Sequence, residues 1–334
     1  MTALAAIFVF FLVVVFHEFG HFIVAKLVDI KVHEFSIGMG PRIFKVKKGE
    51  TDYSLRALPI GGYVKMEGED EKSDDIRSFS NKPVLARMAV IAAGAIMNFI
   101  LALLVFSLIS YIIGAPTTTI METTKDMPAY NAGIKSGDKI ISVNNIDIDT
   151  WDELVSVISK SEGKELKVTV LRNNKKIDFY VDPVIEKDTG RAIIGIVPEM
   201  KKSILYSIKN GFDRMIFMLS MMFRFLRMLL TGNVNTTDVI GPVGIIHLVG
   251  EAAKLGFLNV LSLAGLISVN LGFFNLLPIP ALDGSRLMFL IIELFRGKPI
   301  DPEKEGFIHF VGFVFLMLLM IFIAYKDLIR FNVF

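Results

Sequence analysis

His17-Glu18-Phe19-Gly20-His21 is the run of this chain whose residue types and spacing can do chemistry. Residues four apart in a helix lie on one face, so His17 and His21 can share a metal ion. Glu18, beside them, can take a proton from a water on that metal. Two imidazoles and a water leave a tetrahedral site one protein ligand short, and such sites usually complete it with a carboxylate. The candidate carboxylate lies far along the chain, in Asn275-Leu276-Leu277-Pro278-Ile279-Pro280-Ala281-Leu282-Asp283-Gly284. Asp283 could instead cap a helix after a proline-broken segment, a role that does not exclude ligation. With 0 Cys, the chain has no thiolate metal site, disulfide or cysteine nucleophile.

The elements that must position these residues are membrane helices. Of 334 residues, 53% are hydrophobic, with 28 Phe and 16 Met. Stretches 1–16, 88–121, 255–282 and 306–325 contain no Asp, Glu, Lys or Arg. A bilayer core of about 30 Å needs roughly 20 apolar residues as helix. Four spans are expected, at about 1–26, 86–113, 256–280 and 306–326. The first is read as a span and not a cleaved signal, because it lacks a basic leader and a small-x-small site. Basic residues crowd the loop between the first two spans, from Lys26 to Arg87. The positive-inside rule makes that loop cytoplasmic and the N-terminus and residues 116–250 extracytoplasmic. At about 1.5 Å per residue, His17 lies roughly 24 Å, and Asn275 roughly 27 Å, below the outer ends of their spans. Both motifs therefore reach the cytoplasmic leaflet together. A net charge of +2 offers no field for nucleic acid.

Within the extracytoplasmic insert, residues 128–144, PAYNAGIKSGDKIISVN, resemble the signature of PDZ domains, with a hairpin expected around Asn173-Asn174. A PDZ-like domain is expected over 116–199, and such domains take an extended peptide or C-terminus as an added strand. Residues 204–230 are apolar but carry Lys209, Asp213, Arg214, Arg224 and Arg227, which suits an interfacial amphipathic segment within 200–250. The fold class expected is thus a polytopic α-helical membrane protein with an inserted α+β domain. Its parts are an N-terminal membrane part (1–113, with a loop and β segment at 27–85), the PDZ-like domain, the amphipathic region, and a C-terminal membrane part (251–334). The acidic run Glu67 to Arg77 reads as a solvated loop, and His33, His247, His309 and Trp151 as packed or interfacial residues.

His17-Glu18-x-x-His21, Asn275-x-x-Pro278-x-x-x-Leu282-Asp283-Gly284 and the intervening PDZ-like stretch together resemble the site-2 protease family of intramembrane zinc metalloproteases, closest to its bacterial RseP-like group in a single-PDZ form. Gly61-Gly62-Tyr63-Val64-Lys65-Met66, Gly94-Ala95-Ile96-Met97-Asn98 and Gly241-Pro242-Val243-Gly244-Ile245 match as well. The resemblance implies one Zn2+ per chain on His17, His21 and Asp283, with Glu18 as general base and Asn275 holding the substrate backbone. It implies a strand at Gly61 to Met66 (Gly61, Gly62, Tyr63, Val64, Lys65, Met66) beside the substrate. The implied substrate is a single-span membrane protein, already trimmed by another protease, of the anti-sigma-factor or signal-peptide-remnant type, in the bacterial inner membrane. On the residues alone, a membrane-anchored quality-control metalloprotease and a PDZ scaffold or metal transporter stay open.

Overall fold

The computed structural model describes residues 2–69, 73–161, 163–186, 190–232 and 241–330. Parts of the acidic run (70–72), the PDZ-like stretch (162, 187–189), the amphipathic region (233–240) and the C-terminus (331–334) lie outside the described residues. In chain order the elements are α1 (Thr2–Leu27), β1 (Val32–Lys48), β2 (Thr51–Met66), α2 (Val84–Ile113), β3 (Ala115–Thr123), α3 (Pro128–Asn131), β4 (Lys139–Val143), β5 (Ile146–Asp147), α4 (Trp151–Ser159) and β6 (Leu166–Arg172). They continue with β7 (Lys175–Val181), β8 (Val184–Ile185), β9 (Ala192–Ile193), β10 (Ile196–Lys201), α5 (Ile204–Leu230), α6 (Pro242–Leu255), α7 (Phe257–Leu276), α8 (Asp283–Arg296) and α9 (Pro302–Arg330). Two compact units result, residues 1–109 with 208–334, and Ser110–Ser207.

In the first unit α1, α2, α7 and α9 are long and apolar enough to cross a membrane. Val13 of α1, Leu101, Val105 and Phe106 of α2, and Leu261 and Val269 of α7 share one buried cluster, which Met215 of α5 joins. Small residues let the backbones approach. A Cβ on Gly20 would stand 2.3 Å from the Ala93 carbonyl oxygen, and one on Gly265 2.5 Å from the Phe106 ring. Helix α5 settles its charge against neighbours, with Arg214 donating to Ser262 Oγ at 2.9 Å and lying over the Phe106 ring. Helix α7 stops at Leu276 because Leu277 precedes Pro278 and is forced extended, at φ −71 and ψ 145. The chain re-enters helix at α8 with Leu282 at the cap position, so Asp283 is the first helical residue and not the cap.

Strands β1 and β2 fold back on themselves. Val32–Ile37 pairs on one side with Gly62–Met66 and on the other with Asp52–Leu55, while Arg42–Lys48 pairs with Thr51–Arg56. The corners fall at Gly38, Gly40 and Gly61, with φ of +84, +83 and +74, conformations that favour glycine. Gly62–Met66 is left as an edge, with no strand on its outer side among the described residues. Val32, Phe35, Val64 and Met66 pack with Ala25 of α1 and Val90 of α2, which seats the sheet on those helices.

The second unit is an antiparallel sheet in the order β10-β3-β4-β6-β7, with β5 against β4 and a separate β8–β9 pair. The β6–β7 turn places Asn173 and Asn174 at φ 51 and 60, the two-residue geometry that matches strand twist. Helix α4 starts on a capping box in which Thr150 accepts from the Glu153 N–H and Glu153 accepts from the Thr150 N–H. Asp138, wholly buried, accepts from Arg172 at 2.6 and 2.7 Å and from the Lys135 N–H at 2.9 Å. Burial pushes its carboxyl up, but these donors outweigh that and hold it below its ordinary value.

Candidate metal centre

The cluster begins where α1 crosses α2. Gly20 brings the two backbones together, and Gly94 opposite leaves the space that both imidazoles fill. A Cβ at Gly94 would stand 2.3 Å from His21 Nε2 and 2.7 Å from His17 Cε1. The rings meet edge to face, centroids 4.8 Å apart, with their Nε2 atoms 3.3 Å apart. His21 is buried and its Nδ1 lies 2.9 Å from the Val90 carbonyl oxygen.

The irregular segment between α7 and α8 delivers the third group. A Cβ on Gly284 would collide with the Leu277 carbonyl oxygen at 2.1 Å, so only glycine lets the chain turn here directly after Asp283. Helix α9 braces the segment. His309 Nδ1 accepts from the Ala281 N–H at 3.2 Å while Ala281 is held at φ 73, and Gly312 lets α9 lie against Pro280. Asp283 Oδ2 then stands 3.3 Å from His17 Nε2 and 3.4 Å from His21 Nε2. Among the described residues His17, His21 and Asp283 form the group able to hold a metal ion.

Those residues fit zinc. Atoms about 2.0–2.1 Å from a tetrahedral centre stand about 3.3–3.4 Å from one another. The three edges here are 3.3, 3.3 and 3.4 Å. Asp283 Oδ2 is also buried with no hydrogen-bond donor aimed at it, an uncompensated position for a carboxylate oxygen unless a cation faces it. The donor set of two imidazole nitrogens and one carboxylate oxygen is one that zinc takes in catalytic sites. A cavity of about 380 Å³, lined by Leu282, Asp283, Arg286, His309 and Phe313 among others, opens beside the carboxylate.

Glu18 and the edge strand meet at this cluster. A Cβ on Gly62 would be 2.8 Å from Glu18 Cγ, so the missing side chain is what lets the strand lie on the glutamate. Behind the strand, Arg56 donates to Glu34 at 2.9 Å and to Tyr63 Oη, and Ser54 donates to Glu34. Burial raises Glu34, but the Ser54, Arg56 and Tyr63 donors win and pull it down to about 2. Beyond the strand, Arg286 of α8 donates to Glu69. Val64 and Met66 face the packed interior, while Lys65 is exposed. Asn275 is buried in the last turn of α7, and its side chain makes no hydrogen bond among the described residues. The structure thus brings His17, His21, Asp283, Glu18 and Gly62 together, while Asn275 stands at the α7 end of the segment that carries Asp283.

Asn98 is the residue to which sequence reasoning gave no role. It is fully buried, and its side-chain nitrogen lies 3.2 Å from His17 Nδ1. The available signal was an amide in an otherwise charge-free span, a costly placement that usually marks a site.

The family model described as Peptidase family M50 matches residues 5–319. A zinc metalloprotease RasP from Geobacillus kaustophilus is 33% identical over 413 residues, covering 99% of this chain and 98% of the relative. The regulator of sigma-W protease RasP from Bacillus subtilis is 34% identical over 415 residues, covering 98% of each. A Clostridium acetobutylicum relative is 40% identical over 326 residues, covering 97% of this chain and 96% of its own. Among solved structures, the PDZ domain of an SdrC-like protein from Listeria monocytogenes matches 26% of this chain and 87% of its own, at 22% identity and a TM-score of 0.22. The chain belongs to peptidase family M50, the site-2 protease family of zinc metalloendopeptidases.

Proposed function

We propose that this chain cleaves membrane-spanning segments inside the bilayer, near its cytoplasmic face, with one zinc ion held by His17, His21 and Asp283. The observation that carries this reading is the meeting of those three groups with Glu18 and the Gly62 edge strand on helices fit to span a membrane. When bound, zinc supplies a Lewis acid for the scissile carbonyl and lowers the pKa of a water. Glu18 takes the proton of that water and passes it to the departing amine. Gly61 to Met66 receives the substrate as an added strand. A helix must unwind before it can be cut, and an unpaired strand edge satisfies the backbone groups thereby freed. Asn275 holds the substrate backbone.

The loop of residues 27–85 faces the cytoplasm in this reading, and the N-terminus and Ser110–Ser207 face outward, as the distribution of Lys and Arg favours. The chain resides in a bacterial inner membrane, with 200–250 an amphipathic region at its interface. Residues 116–199 act as a PDZ-like domain between membrane parts 1–113 and 251–334. A groove of about 300 Å³ between α4 and residues 192–196, lined by Leu154, Ile158 and Ile194, suits an extended peptide or C-terminus. The substrates are single-span proteins already shortened by another protease, either membrane-bound regulators or signal-peptide remnants.

The test is cleavage of a tagged single-span substrate reconstituted with purified wild-type protein or with Glu18→Gln. Wild type cuts within the span, and Glu18→Gln keeps its zinc but loses the 10²–10⁴-fold or so that a positioned base contributes. Cutting by Glu18→Gln at the wild-type rate would remove Glu18 from the mechanism. Failure of wild type on several helix-destabilised spans would remove the intramembrane reading.

A further inference from the structure

We infer that Asn98 is a positioning residue for His17, its amide oxygen accepting from His17 Nδ1–H and thereby holding Nε2 as the free electron pair that faces Asp283 and the metal. The inference rests on the zinc reading of the cluster and concerns which tautomer the cluster needs.

An imidazole that gives Nε2 to a metal carries its proton on Nδ1, so Nδ1 must donate and its neighbour must accept. For His21 the acceptor is in place, the Val90 carbonyl oxygen at 2.9 Å from Nδ1. For His17 the neighbour is the Asn98 amide, whose nitrogen lies 3.2 Å from Nδ1. That nitrogen can only donate. The other end of the same amide, Oδ1, is buried and has no hydrogen-bond partner. The two ends of an amide are nearly equal in size, so a half-turn about the Cβ–Cγ bond exchanges them within the same space. It hands His17 the acceptor it needs and gives the orphaned oxygen a partner.

The surroundings favour this role over mere packing. Val90, Gly94 and Asn98 recur every four residues along one face of α2, so a single stripe supplies a carbonyl for one ring, space for both rings, and an amide for the other. Ser268 of α7, itself fully buried, donates to the Asn98 backbone oxygen at 2.8 Å and pins that turn of α2. A fully buried amide in an apolar span is expensive, and here its side chain has one polar neighbour, a metal-ligand ring.

The experiment is competition for zinc between a chromophoric chelator and the detergent-purified full chain, as wild type, Asn98→Asp, Asn98→Leu and Asn98→Ala. Thermal unfolding of each variant checks that it is folded, and Asn98→Ala covers the case in which leucine does not fit. The leucine and alanine variants are expected to lose about 10–100-fold in zinc affinity, the usual effect of removing an outer partner of a ligating histidine. Asn98→Asp keeps an acceptor but no donor, and is expected to hold zinc at or above the wild-type level. In zinc-loaded protein carrying ¹⁵N-histidine, the His17 proton is expected on Nδ1, protected from exchange in wild type and Asn98→Asp and exposed to it in Asn98→Ala. Wild-type zinc affinity in Asn98→Leu and Asn98→Ala would overturn the assignment, as would an Asn98→Asp protein as weak as either. A wild-type chain that does not compete for zinc at all would overturn the metal reading, and this inference with it.

Discussion

Asp283 enters the cluster through one oxygen that is buried and receives no hydrogen bond, although two imidazole nitrogens stand 3.3 and 3.4 Å away. An ionised oxygen so placed is stable only opposite positive charge, so its removal acts on the metal before it acts on the fold. Asp283→Ala is therefore expected to leave the chain folded and to drop its zinc content after dialysis from near one ion per chain towards none. Unchanged stoichiometry would place the third ligand elsewhere. At this scale the histidine pair was legible in the sequence, because spacing along one helix turn is local. Asn98 stood in the matching run Gly94 to Asn98, but its role was not legible, because the ring it faces lies 81 residues away in the chain.

At the scale of elements, the sheet made by β1 and β2 depends on charged contacts at its base. Glu50 in its turn accepts from Arg77 at 2.7 Å through both oxygens and from Lys26 at 2.5 Å, which hold its carboxyl down to about 2. Glu34 within the sheet is held equally low. Unfolded glutamate titrates near 4.3, so the contribution of both groups is whole above about pH 4.3 and is lost as pH falls towards 2. The protection of residues 32–66 against amide exchange, taken relative to the intrinsic rate at each pH, is expected to fall across that window and to be flat from about pH 5 to 7. Loss of protection confined to neutral pH would show that other groups hold the sheet. The β segment was expected from sequence, but its doubled-back register was not. The corners at Gly38, Gly40 and Gly61 decide which stretch becomes the edge, and two runs of similar β character do not reveal their pairing.

At the scale of the whole molecule, Arg87 at the start of α2 donates to both oxygens of Glu293 in α8, across 206 residues, with both side chains nearly buried. This pair holds the helix whose first residue is Asp283. Glu293→Ala leaves the largely buried guanidinium without its carboxylate, with the Lys82 carbonyl as its remaining acceptor, a loss of up to about 3 kcal/mol. It is expected to lower the thermal midpoint and weaken zinc retention together, while an Arg87→Met, Glu293→Met double variant recovers most of the stability. An unchanged midpoint in Glu293→Ala would mean that α8 is held by its apolar face alone. Asp327 of α9 is a similar long-range device, accepting from the Gly244 N–H at 2.8 Å in the first turn of α6.

The sequence by itself determined the apolar helices, the insertion of a β-rich segment between them and the His17–His21 pairing on one helix face, because each is written in local composition or helix-period spacing. It also placed the break after α7, since Pro278 cannot continue a helix and restricts the residue before it. Tertiary structure alone decided that three ligand atoms stand at zinc-like separations, that Gly62 lies on Glu18, and that one face of α2 serves both imidazoles. Those outcomes depend on Gly20, which lets α1 approach the α2 backbone, on Gly94, which leaves room for both imidazoles, and on Gly284, which lets the chain turn beside Leu277. A glycine in a sequence shows that a close approach is permitted; only the folded chain shows what approaches.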